Sequence, residues 1–172
     1  VLALFDGPIF GHGPTLALDL VDASSLLWRL HLRGVPVGAR WDAVAQAWAP
    51  PVGASHYAFN DAHAAMAFAA AGREDLLQQV LAAQEQALAS ENDNARFTAE
   101  VGRPLVQALV DFIDGRPARA VEGLRQVRPV AHLGRFDSPR PERRRLYRID
   151  VFRAELSGAG QALIDYPSQE HA

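Results

Sequence analysis

The chain has 172 residues, 49% of them apolar and 22% charged, with a net charge of −3. That balance excludes a strong field for nucleic acid or an anionic membrane, and no apolar stretch reaches the roughly 18 residues that span a bilayer. The absence of cysteine excludes disulfides and thiolate metal sites, fits a reducing compartment, and makes a cytoplasmic location the expectation.

In chain order, Val1–Asp6 carries no basic leader segment and reads as the end of a helix whose beginning lies outside the chain, as in a fragment of a longer protein. A Gly/Pro-rich connector spans 7–15, with Thr15 as candidate N-cap. A long helix is predicted over 16–33, with Leu16, Leu20, Ala23, Leu27 and Leu30 as its buried stripe and Gly34 as its stop. Its partner is predicted over 38–48, ended by Pro50-Pro51. A third helix, rich in alanine, runs from 59 or 60 to Ala71 and ends at Gly72. The fourth covers 73–90, with Leu76, Leu77, Val80, Leu81 and Leu88 toward the core. Residues 95–114 are predicted helical with a break near Gly102 and Pro104, and Gly115 ends that element. Pro117 then opens a last helix that stops before Pro129.

Gly34, Gly72 and Gly115 therefore each divide one helical run from the next, at intervals of 38 and 43 residues. Units of that size predict a stacked array of helical hairpins. Gly34 to Ala39 and Gly115 to Ala120 share a Gly-x4-Ala step that lies at the centre of a tetratricopeptide unit, and Gly72 to Leu77 keeps the spacing with a larger residue. The fold class expected is all-α: a tetratricopeptide-like superhelix of about three helix pairs over 1–130, followed by an irregular Arg/Pro-rich tail over 131–172. A truncated array exposes an apolar end. That end is expected at Val1–Phe5, covered by upstream repeats or by self-association with a second copy.

Two segments go beyond a generic repeat. One runs Leu18-Asp-Leu-Val-Asp-Ala-Ser-Ser-Leu-Leu-Trp-Arg-Leu30, followed by Gly34, Val37-Gly38 and Trp41; the other is Phe59-Asn-Asp-Ala-His63, running into Met66 and Gly72-Arg73. Together they resemble the tetratricopeptide repeat protein 38-like family, and Val101-Gly-Arg-Pro-Leu105 with Gly115 and Ala120-Val121 fits the same pattern. The resemblance covers about residues 1–130 and implies the C-terminal piece of an α-helical repeat protein, without implying an activity. After Val130 the pattern stops and an arginine-rich stretch begins, with Arg140, Arg143, Arg144 and Arg145. It reads either as a shifted reading frame or as a divergent, partly helical tail. Its arginines suit a solvated face more than an RNA site, because few aromatics lie among them.

The polar residues of the two motifs are the candidate site. Asp19, Asp22, Ser25 and Arg29 recur at 3- and 4-residue steps, so one helix carries them on one face. Asn60, Asp61 and His63, with His56 nearby, form the second cluster. A His–carboxylate pair there suits acid–base chemistry or metal binding. The simpler alternative makes Asn60 a cap, Asp61 a partner for the helix's positive end, and His63 a buried hydrogen-bonding group. Ser25, His63 and Asp22 nominally compose a hydrolase triad, but no nucleophile elbow surrounds Ser25. The leading expectation is a protein- or peptide-binding scaffold whose first helices, over 16–33, 59–71 and 103–114, line a concave surface, with no catalytic residue, metal or cofactor. The alternative is a small-molecule or metal-dependent enzyme with a polar site between the first and third helices.

Overall fold

The structure, a computed structural model, describes residues 1–14, 16–50 and 57–127. Thr15, His56 and the tail over 131–172 lie outside the described residues. Every regular element among the described residues is helical. α1 (Leu2–Leu4) runs into a π-turn at Phe5–Ile9. Then come α2 (Ala17–His31), α3 (Arg40–Trp48), α4 (Ala58–Ala70), α5 (Glu74–Leu88) and α6 (Asp93–Phe97). A second π-turn at Thr98–Gly102 joins α6 to α7 (Arg103–Ile113), and α8 (Pro117–Val127) follows.

The three predicted hairpin glycines all adopt left-handed backbone, with φ of 65° at Gly34, 66° at Gly72 and 73° at Gly115. At each, the glycine N–H bonds back to the carbonyl three residues earlier, and the next residue bonds back five. The pairs are Gly34 to His31 and Val35 to Leu30, Gly72 to Ala69 and Arg73 to Phe68, and Gly115 to Phe112 and Arg116 to Asp111. This is the same Schellman stop three times. It satisfies the orphan carbonyls of the first helix and turns the chain sharply into the second. At the third turn Arg116 also clamps the corner, donating to Asp111 at 2.9 Å and to Asp114 at 2.7 Å.

The first hairpin departs from the other two beyond its glycine. Leu77 and Ala120, five residues after their glycines, are buried, whereas Ala39 is exposed. Pro36 and a second left-handed glycine, Gly38 with φ 58°, lengthen that turn, so Ala39 precedes α3 instead of packing within it. Val37, Trp41, Val44 and Trp48 take over the core positions. Leu16 likewise leaves the predicted stripe. It sits in extended backbone before α2 and is 66% exposed, while Leu20, Ala23 and Leu27 are buried.

The core centres on α4, which packs against α2, α3, α5 and α7. Its alanines make this possible, since small side chains let four neighbours approach one axis. Every residue from Asp61 to Phe68 is buried, as expected of a helix with no wide polar face. Fully buried side chains such as Leu27 and Phe68 contribute about 1.5–3 kcal/mol each. At the N-terminal end Phe5 is buried at 3% exposure, contrary to the expected apolar end, while Val1 and Leu4 are exposed. The π-turn accounts for the difference by tucking Phe5 inward, where it stacks on Phe10 at 5.2 Å.

Candidate functional site

α2 and α4 bring Ser25 and His63 together inside the core, 38 residues apart in sequence. His63 is 0% exposed and Ser25 is 3% exposed. His63 Nδ1 lies 2.8 Å from the Phe59 carbonyl oxygen, and Nε2 lies 3.0 Å from Ser25 Oγ. A carbonyl only accepts, so Nδ1 carries the hydrogen that it receives. In the neutral ring Nε2 is then the acceptor, and the Ser25 hydroxyl donates to it. Phe59 packs on the imidazole with ring centroids 4.4 Å apart, which fixes the ring's orientation.

The neighbouring serine works in the opposite direction. Trp48 Nε1–H of α3 donates to Ser24 Oγ at 2.9 Å, also in the core. Ser24-Ser25 thus ties α2 to its own hairpin partner α3 through one hydroxyl, and to the next hairpin's α4 through the other. Each bond satisfies a buried polar group, which would cost about 1–3 kcal/mol if left alone. Nothing local in the sequence marks Ser24 or Trp48 as partners; they escape a reading that looks only for residues one helical turn apart.

The remaining candidate residues do not gather at this pair. Asp22 is exposed, and Asp19 and Arg29 are half-buried. Asp19 Oδ2 accepts from the Leu16 backbone N–H at 2.9 Å, so it closes the start of α2. Asp61 is buried in the first turn of α4, where a carboxylate suits the positive end of the helix. Asn60 is not the cap of α4: that position belongs to Tyr57, and the helix already starts at Ala58. The Asn60 Oδ1 is buried with no hydrogen-bond partner among the described residues. No group of three His, Asp or Glu side chains among the described residues could hold a metal ion.

Ser25 and His63 have the donor–acceptor geometry of an activated serine, but both side chains are buried in this structure. An open, mainly apolar cleft of about 380 Å³ lies elsewhere, lined by Phe5, Asp6, Phe10, Gly11, Arg40 and Ala43 among others. At its edge Arg40 grips Asp6 through two bonds, Nε to Oδ1 at 2.8 Å and Nη2 to Oδ2 at 2.6 Å. That pairing lowers the Asp6 pKa below the usual carboxylate value. The third guanidinium nitrogen donates to the Val37 carbonyl, so Arg40 has all its nitrogens engaged within the chain.

No family model matches the chain. No solved structure matches it.

Proposed function

We propose that this chain is a protein- or peptide-binding scaffold built from tetratricopeptide-like hairpins, resembling the tetratricopeptide repeat protein 38-like family over residues 1–130. The observation that carries the reading is the sealed Ser25–His63 pair. The most chemically suggestive groups are consumed in joining helices, which leaves the outer faces of the array to make contacts. The three matching Schellman turns and the central position of α4 support a stacked arrangement of hairpins.

In such an array the ligand lies along the first helices of the pairs. α4 is buried, so the accessible ligand-facing positions are on α2 and α7, including Asp22 and Gln107. A photo-crosslinking side chain placed at Asp22 or Gln107 in the full chain, in its source cells, is expected to form discrete adducts with a protein partner. The same group at Gln79, on the exposed face of α5, is expected to form none. Adducts at Gln79 alone, or equal labelling at all positions, would overturn the reading.

A further inference from the structure

Asp-Gly occurs twice in the chain, at Asp6-Gly7 and at Asp114-Gly115. The dipeptide carries a latent reaction, because the backbone nitrogen of a glycine, with no Cβ beside it, can attack the preceding side-chain carboxyl. The fold treats the two copies differently. Asp6 lies inside the first π-turn, whose bonds run from the Phe10 N–H to the Phe5 carbonyl and from the Gly11 N–H to the Gly7 carbonyl. Arg40 holds both of its oxygens, at 2.8 and 2.6 Å. Those bonds lower the Asp6 pKa, and a carboxylate, unlike a carboxylic acid, has no hydroxyl to lose. Asp114 lies at the corner between α7 and α8, where it and Gly115 are both exposed. Arg116 reaches one of its oxygens through Nη2 alone and shares that nitrogen with Asp111. A Cβ on Gly115 would meet nothing within 4 Å, so the turn stands in open space.

We propose that Asp114-Gly115 is a site of spontaneous isoaspartate formation, and that Arg40 and the π-turn shield Asp6-Gly7 from the same reaction. The Gly115 nitrogen bonds to the Asp114 Cγ, the carboxyl hydroxyl and the amide hydrogen leave as water, and a succinimide ring closes. Water then adds to one of the two ring carbonyls. Attack at the side-chain carbonyl restores aspartate. Attack at the main-chain carbonyl leaves the chain running through Cβ and Cγ, with one more carbon in the backbone. No oxidant or cofactor takes part. Asp114 has φ −75° and ψ 7°, which keeps the Gly115 nitrogen off its Cγ. Closure therefore needs ψ to rotate, and it breaks the 3.1 Å bond from the Gly115 N–H to the Phe112 carbonyl. A helix end frays more readily than a turn anchored by the buried Phe5. The product lengthens the link between α7 and α8, and α8 packs chiefly on α7.

The full chain, held folded in mildly acidic heavy-oxygen water and then digested, tests the assignment by peptide mass and by separating aspartate from isoaspartate peptides. The expected result is label and isoaspartate at Asp114-Gly115 several-fold sooner than at Asp6-Gly7. In strong urea the two rates should converge, since neither dipeptide is then held. Equal rates in the folded chain, Asp6 reacting first, or a difference that survives urea would overturn the proposal. Arg40→Gln should raise the rate at Asp6-Gly7 and leave Asp114-Gly115 as it was. An unchanged Asp6 rate would overturn the role given to Arg40.

Discussion

The two junctions on either side of α4 join neighbouring hairpins by opposite means. Toward α2 the contact is polar and closed: Ser25 meets His63 across it, next to the Ser24–Trp48 bond that closes the first hairpin, and all four side chains lie away from solvent. Toward α5 and the second π-turn the contact is made by removing side chains. A Cβ on Gly102 would stand 2.7 Å from the Ala58 Cβ, so the two backbones touch only because one residue is glycine. The first junction gains direction from hydrogen bonds, and the second gains closeness from small residues. A polar junction tolerates little truncation, because each lost partner orphans another buried group. A small-residue junction tolerates little enlargement, because the packed interior has nowhere to put the added atoms.

The largest effect should follow from breaking the polar junction. His63→Ala removes two buried hydrogen bonds and the ring that packs on Phe59, and it strands the Ser25 hydroxyl. A loss of about 3–5 kcal/mol is expected, the range of a large core truncation. Urea denaturation of the full chain measures it. A loss under about 1 kcal/mol would mean that the pair contributes no more than a typical exposed contact. The small-residue junction should respond to the opposite change. Gly102→Ala is expected to cost about 1–3 kcal/mol, because the clash is with an Ala58 side chain rooted in backbone. Ala58→Gly in the same chain should recover part of that loss. Without recovery, the cost would lie in the π-turn's own backbone and the proposed difference between the junctions would fail.

The elements were legible from the sequence where the signal is local. Gly34, Gly72 and Gly115 mark their turns because a left-handed stop needs only one residue without a Cβ. The alanine run of α4 shows that many neighbours crowd it. The break near Gly102 and Pro104 is visible too, though its π form is not. Ala39 shows the limit of spacing as a guide: the Gly-x4-Ala step is present, but Pro36 and Gly38 extend the turn and leave the alanine in solvent. The candidate site follows the same division. Ser25 and His63 stand out one at a time, yet their meeting is set by how α2 and α4 cross. Asp22 shares a helical register with Ser25 and is still exposed, because a single three-residue step falls about 60° short of a full turn, enough to cross from the buried to the exposed side of α2.

The smallest expected effect concerns a contact that passes beyond both junctions. Trp28 of α2 meets Phe112 of α7 edge-on, with centroids 6.0 Å apart, and stacks on His31 at 5.3 Å and 11°. His31 lies in the last turn of α2, where the helix dipole and the Trp28 face both favour an imidazolium. Burial opposes them and dominates, so the His31 pKa falls below the ordinary 6.5. The unfolded chain then takes up the proton first as pH drops. Stability from His31 is complete above about pH 6.5 and declines as pH falls toward the folded-state value. Urea midpoints at pH 7.5 and pH 5 should therefore diverge less in His31→Gln than in the native chain, and the His31 ring protons should titrate by NMR with a midpoint under 6.5. A midpoint above that value would mean that the Trp28 stack and the helix end outweigh burial. The aromatic bridge from α2 to α7 would then strengthen in acid instead of weakening.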